Sequence, residues 1–196
     1  MSSLQVLIRP ISPSSTHALR HKVLWPHKPL SYVILEEDDH GWHFGAFLSS
    51  ATEGEVPISV ISCFLEPLPE EGVLSSDLDQ SKLPRTGRFR KFATDPMYQG
   101  KGVGSALLKH VLDFLTRPEL LGANVEDDPE TGVTPSSEEG GKGCVRVWCD
   151  ARWDARGFYE RFGMRAIRPA GKEDGPTFWK GDVAYVRMVL DCPEST

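Results

Sequence analysis

The run from Arg88 to Lys109, RFRKFATDPMYQGKGVGSALLK, constrains this chain more than any other stretch. Phe89–Thr94 reads as a strand, Asp95-Pro96 as a sharp turn, and Gly100, Gly102 and Gly104 as a loop that opens a helix at the last glycine. Ala106, Leu107, Leu108, Val111, Leu112 and Leu115 then recur at helical spacing. Glycines ahead of a helix leave backbone N–H groups uncovered, and a helix N-terminus carries unpaired donors and partial positive charge. The segment therefore suits a phosphate or pyrophosphate, which points to a phosphorylated ligand.

The remaining chain predicts one mixed α/β domain over residues 1–196. Strands are expected at Leu4–Arg9, Trp42–Ser50, Ile58–Leu65, Phe89–Thr94, Cys144–Asp150 and Val183–Leu190. Helices are expected at Ser14–Leu24, with Ala18, Leu19 and Val23 on the apolar side, and at Asp154–Phe162, closed by Gly163. Glu36–His40 and Ala51–Glu55 read as turns, and the polar stretch Glu70–Thr86 as a loop or short helix. About 122–143 the chain is acidic and rich in Gly, Ser and Pro, which predicts a disordered insertion.

The apolar share of 39% is enough for a real core, and the net charge of −6 argues against nucleic-acid binding. The four cysteines lack metal-ribbon spacing and read as small buried hydrophobes. His40 and His43 read as surface histidines, so no metal site is expected. No apolar run is long enough to span a bilayer, and the N-terminus lacks a secretory pattern. These features predict a cytoplasmic or nuclear protein without membrane contact.

Three phosphate-loop mechanisms compete for the glycines. A nucleotide P-loop needs a glycine five residues ahead of its Gly-Lys-Ser/Thr, and Gly100-Lys101-Gly102 does not supply it. A dinucleotide fingerprint needs its glycines directly after a strand and an acid about 20 residues on, at a strand end. Here Asp95–Gln99 intervenes, and that distance falls at the start of the insertion.

The third pattern fits. Gln99-Gly-Lys-Gly-Val-Gly104 matches Gln/Arg-x-x-Gly-x-Gly/Ala, and Ala155-Arg-Gly-Phe-Tyr-Glu-Arg-Phe-Gly-Met164 is similar to Ala-x-x-Phe-Tyr-x-x-x-Gly-Phe. Both resemble the GNAT superfamily of N-acetyltransferases, in the family's order. The resemblance is sharp over Arg88–Gly104 and Val145–Met164 and rests on element order elsewhere.

The resemblance implies a single mixed, mostly antiparallel sheet flanked by helices, with its central strands splayed at the cofactor site. It implies acetyl-CoA as cofactor, with the pyrophosphate of coenzyme A on Gln99, Gly100, Lys101, Gly102, Val103, Gly104 and Ser105. The pantetheine arm would pair with Phe92, Ala93 and Thr94, and the Phe92 N–H would face the oxyanion. Tyr159 matches the family tyrosine that protonates the leaving thiolate. Arg152 stands where members often carry an asparagine that holds pantetheine.

The implied reaction is direct acetyl transfer, through a tetrahedral intermediate, to the primary amine of a small molecule, lysine or N-terminus, by a monomer or homodimer. The alternative is a non-catalytic acyl-CoA-binding regulatory domain. Strand Arg88–Ala93 lacks the glutamate that some members use as base. Glu66, Asp150, His43, Asp95 and a water chain remain the candidates.

Overall fold

The computed structural model describes residues 4–50, 55–69, 86–117, 143–168 and 175–192. Most of the sequence-predicted loop at 70–86, residues 51–54 of the earlier turn, and the insertion at 122–143 apart from Gly143 lie outside the described residues.

In chain order the elements are β1 (Val6–Pro10), α1 (Pro13–Leu24), β2 (Trp42–Leu48), β3 (Ser59–Leu65), β4 (Thr86–Thr94), α2 (Val103–Thr116), β5 (Arg146–Arg152), α3 (Arg156–Glu160), β6 (Arg165–Ile167), β7 (Phe178–Lys180) and β8 (Val183–Asp191). The strands form one eight-stranded sheet in the order β1-β2-β3-β4-β5-β8-β6, with β7 paired to β8. Neighbours β1–β2, β2–β3, β5–β8, β6–β8 and β7–β8 run antiparallel. The β4–β5 ladder is parallel and covers Thr86–Arg88 against Arg146–Trp148. The mixed, mostly antiparallel sheet expected from the sequence is therefore present. β6 and β7 went unpredicted because three-residue strands carry too short a pattern to read.

The chain divides into two compact units. The first comprises Met1–Phe64 and Phe89–Val111. In it, Ser12 caps α1 by accepting the Ser15 N–H, and Pro13 follows at the first helical position, where its missing N–H costs nothing. The helix buries Thr16, Leu19 and Arg20, while Ala18 is exposed, so the expected apolar side is only partly right. Arg20 replaces an apolar residue on the inner face because buried partners await it. Leu19 packs with Val60 and Ala93. Five consecutive residues of β2 and six of β3 are buried without alternation, the signature of strands covered on both faces. Val103, Leu107, Leu108 and Val111 of α2 have no exposed surface. Each contributes roughly 1.5–3 kcal/mol of burial.

The second unit comprises Leu65–Arg88 and Leu112–Thr196. Its core centres on Trp148, which is fully buried with Leu68, Ile167 and Val189. The Trp148 indole N–H donates to the Glu66 carbonyl at 2.9 Å, so the buried polar atom is satisfied. Gly87 permits close packing: a Cβ there would lie 3.1 Å from Cys144 Sγ and 3.2 Å from a Leu115 methyl. Cys144 and Cys149 are buried here and Cys192 is half-buried, while Cys63 is buried in the first unit, and none of the four forms a disulfide among the described residues. Among the described residues no helix is long and apolar enough to cross a membrane.

Candidate active site

The glycine loop departs from the expected helix start by one residue. α2 begins at Val103, and its first internal bond runs from the Ala106 N–H to the Gly102 carbonyl at 2.9 Å. The N–H groups of Val103, Gly104 and Ser105 therefore have no helical carbonyl to bond. Gly100 and Gly102 adopt φ of 71° and 85°, a region that side chains resist. A Cβ on Gly100 would meet nothing within 4 Å, so the backbone there is open to a ligand.

The loop is tied down from three sides. The Gln99 amide donates to the Thr94 carbonyl at 3.0 Å, and the Leu4 N–H donates to the Lys101 carbonyl at 3.2 Å. Asp95 accepts the Met97 N–H at 3.0 Å and pairs with Lys22 at 2.7 Å. The Gln99 side chain thus shapes the loop, and the Val103 side chain is buried, leaving its N–H as the group to offer. Lys101 places its ammonium 5.5 Å from the Tyr98 ring centre.

β4 holds a feature that the sequence did not announce. Lys91 has φ of 55°, the one non-glycine residue with positive φ among those described. Such a residue costs of order 1–3 kcal/mol and persists only where its surroundings hold it. Lys91 reaches back to α1, with its ammonium 4.1 Å from the Trp25 ring centre. The kink immediately precedes Phe92. Past it, the Ala93 carbonyl accepts from the Ser59 hydroxyl at 3.1 Å, and the Asp95 N–H donates to the Ile58 carbonyl at 2.9 Å. Backbone groups alternate in direction along a strand. Ala93 therefore faces β3, and Phe92 and Thr94 face the other edge.

Tyr159 lies in α3, the short helical core of the longer helix expected at Asp154–Phe162. A 3-10 turn over Trp153–Ala155 precedes it, and Gly163 at φ 79° ends it. The phenol packs edge-on against Phe158, with ring centres 5.1 Å apart. Its pKa is pushed well above the ordinary tyrosine value by burial, then by Cys149, against an opposing effect of Arg152. Burial likewise raises the Cys149 thiol. Arg152 ends β5, half-buried, so its charge is felt at Tyr159.

The four candidate bases are all engaged. His43 is no surface histidine: it is buried, bonded to Ser62 Oγ at 2.7 Å and to the Asp38 carbonyl at 2.7 Å. The Arg20 guanidinium, fully buried, donates to both Asp38 oxygens at 2.7 and 2.9 Å and to the Val33 carbonyl at 3.1 Å. Burial and the Arg20 charge hold the His43 pKa below its ordinary value. Asp95 is held low by Lys22 first and the Met97 N–H second. In the second unit Arg88 bridges Glu66 at 2.5 Å and Asp150 at 3.1 Å, and Arg187 meets Asp150 at 3.0 Å. Neither network was legible, because Asp38 sits in an acidic run that reads as a turn, and Arg88 and Arg187 lie far apart in the chain.

Known proteins match this arrangement. A family model described as "Acetyltransferase (GNAT) family" matches residues 12–131, well over half of the chain. An uncharacterized N-acetyltransferase, YitI of Bacillus subtilis (strain 168), is 25% identical over 162 residues, covering 82% of this chain and 83% of that protein. A putative N-acetyltransferase from Lactobacillus plantarum shares the fold with a TM-score of 0.58 at 17% identity, covering 98% of this chain and 100% of the other. Arabidopsis thaliana NAA60 in complex with acetyl-CoA gives 0.56 at 15% identity, covering 95% of this chain and 98% of the other. The matched span begins at the α1 cap and takes in the kinked β4, the glycine loop and α2, so the chain belongs to the acetyltransferase (GNAT) family.

Proposed function

We propose that this enzyme transfers the acetyl group of acetyl-CoA to a primary amine. The observation that carries the reading is the α2 N-terminus, where Gly100 and Gly102 hold positive φ ahead of three N–H groups without helical acceptors. The open space at Gly100 fits a diphosphate approaching the backbone closely. A solved neighbour, NAA60, is described as complexed with acetyl-CoA, which supports the same choice of cofactor.

Acetyl-CoA, when bound, supplies a thioester carbonyl for the amine to attack and a thiolate to expel. The chain's residues bind, orient and donate. Gly100 to Ser105 offer backbone N–H groups to the diphosphate. Phe92 and Thr94 offer the strand edge turned away from β3, and the Lys91 kink fixes the direction of the Phe92 N–H. A preorganised donor of this kind is worth about 2.7–4 kcal/mol where negative charge develops. Tyr159 stays protonated across the working pH range, because its pKa is raised. A phenol less acidic than usual gives up its proton reluctantly to a thiolate whose conjugate acid has pKa about 8.5. Tyr159 therefore acts chiefly as a hydrogen-bond donor to the departing sulfur. With all four candidate bases engaged by cations or buried, the amine enters neutral, or loses its proton to water.

The test is thiol release from acetyl-CoA across a panel of amines, run beside coenzyme A binding. Wild type should release thiol with at least one amine and be stabilised by coenzyme A, but not by NAD or ATP. Gly102→Asp should lose that stabilisation, because it places a side chain and a negative charge in the anion seat. Coenzyme A affinity unaltered by Gly102→Asp would refute the assignment. Stabilisation without thiol release from any amine would favour a regulatory acyl-CoA-binding domain instead.

A further inference from the structure

Because the peptide bond is planar, the Phe92 N–H turns with the Lys91 carbonyl, and the torsions of Lys91 set where that N–H points. Lys91 holds φ of 55°, a region in which a side chain is sterically strained. A relaxed lysine would return to the extended region, and the Phe92 N–H would swing with it. The strand is anchored on both sides of this turn. Before it, Arg90 pairs with Glu37 and lies 5.0 Å from the Phe64 ring centre. After it, the Ser59 hydroxyl donates to the Ala93 carbonyl at 3.1 Å and bonds the Thr94 hydroxyl at 2.7 Å.

The side chain of Lys91 is anchored as well. Its ammonium lies 4.1 Å from the centre of the Trp25 ring, inside the range of a cation–π attraction, and both residues are half-buried. Partial burial strengthens such a contact, because less water competes for the ammonium. The attraction is then of the same order as the strain that it opposes. Trp25 itself is firmly seated. It caps the C-terminus of α1, with its N–H donating to the His21 carbonyl at 3.3 Å. Its carbonyl accepts the Lys28 N–H at 3.1 Å, and the His21 ring bonds the Lys28 carbonyl at 2.6 Å. The Tyr32 ring meets the indole edge-on, with centres 5.4 Å apart. Helix end, turn and neighbouring ring thus hold the indole against Lys91. Trp25, Lys91 and Phe92 all belong to the first unit.

We propose that Trp25 is a positioning residue for acetyl transfer: its ring holds the Lys91 ammonium, the ammonium holds the left-handed turn in β4, and the turn aims the Phe92 N–H at the oxyanion. The inference rests on the acetyl-transfer reading, since that reaction is what gives the N–H a developing charge to meet. Trp25 touches no reacting atom, so its loss should act on kcat and spare acetyl-CoA binding.

The test joins kinetics to NMR. In ligand-free wild type the ring current of Trp25 should displace the Lys91 Cε protons upfield. Trp25→Leu should abolish that displacement and move the Phe92 amide resonance. It should also lower kcat about tenfold with KM for acetyl-CoA within about twofold, the scale of an oxyanion donor misaimed rather than removed. Trp25→Phe keeps an aromatic face and should recover most of kcat. Lys91→Gly reaches φ of 55° without strain, so it should make the clamp dispensable. Adding Trp25→Leu to it should lower kcat by less than about twofold further. A Phe92 amide that stays in place in Trp25→Leu overturns the proposal. So does an unchanged kcat, or a fall of about tenfold that persists in the Lys91→Gly background. A rise in acceptor KM alone overturns it too, because it would set Trp25 against the amine instead. A displaced Phe92 amide in Trp25→Leu, with no thiol release from any amine by wild type, would leave the Trp25–Lys91 clamp standing and sink the acetyl-transfer reading.

Discussion

Breaking the Arg20–Asp38 pair is the most demanding test of the first unit. Arg20 has no exposed surface, and its guanidinium spends its terminal nitrogens on both Asp38 oxygens, the Val33 carbonyl and the Ser62 hydroxyl. Asp38→Asn keeps the shape but leaves a buried cation without its counter-charge, which costs about 3–5 kcal/mol. With a urea m-value of about 2 kcal/mol per M, the midpoint should fall by roughly 1.5–2.5 M. Arg20→Met should cost a similar amount, because it leaves Asp38 uncompensated. The double variant Arg20→Met/Asp38→Leu should be less damaging than the sum of the singles, by a coupling of at least about 2 kcal/mol. Two spectroscopic probes must give coincident transitions for the cycle to be read.

The pH arm carries its own sign. For Asp38, burial raises the pKa, but the Arg20 hydrogen bond, the Leu35 N–H and the Arg20 charge outweigh it, and the net shift is downward. A carboxyl with a depressed folded pKa contributes stability above its unfolded value of about 3.9, and loses it as pH falls through the folded pKa. His43, also depressed, binds its proton more tightly when unfolded, so stability declines as pH drops below about 6.5. Wild type should therefore lose stability first from about pH 6.5 and again below about pH 4. His43→Gln should remove the first limb and Asp38→Asn the second. Single-variant costs below about 1 kcal/mol, or full additivity in the cycle, would refute the assignment of a buried charge pair.

Other variants test single elements. Tyr159→Phe removes the donor while keeping the ring, and should lower kcat by about 10²-fold with coenzyme A affinity unchanged; pre-steady-state thiol release checks it, and an unchanged kcat means water serves the sulfur. Gly100→Ala forces a Cβ onto φ of 71° and should cost about 1 kcal/mol in urea unfolding. Because that Cβ meets no protein atom, a separate loss of coenzyme A affinity by calorimetry would report crowding of the ligand itself. Leu107→Ala empties a site with no exposed surface and should destabilise by about 2–5 kcal/mol, read from the unfolding midpoint.

What the sequence disclosed follows from where its information is local. The glycine loop was legible because positive φ at Gly100 and Gly102 demands a residue type, and α2 was legible because its apolar face repeats over 14 residues. The helix that carries Tyr159 was legible through its motif, although it contracted to Arg156–Glu160. The kink at Lys91 was hidden, since lysine has no preference for φ of 55° and only the surrounding fold imposes it. Arg20 misled the helical reading because a buried cation is allowed by partners 13 to 42 positions away, at Val33, Asp38 and Ser62. Periodicity treats every charged residue as a solvent residue, so it fails where a charge is neutralised by distant chain. The same limit hid the Asp150 network: Arg88, Asp150, Lys180 and Arg187 come together only when β4, β5, β7 and β8 pair. In this chain the residues proposed to hold the diphosphate are consecutive and can be read in order, whereas the ion pairs around Asp150 are gathered by the sheet and leave no local pattern to read.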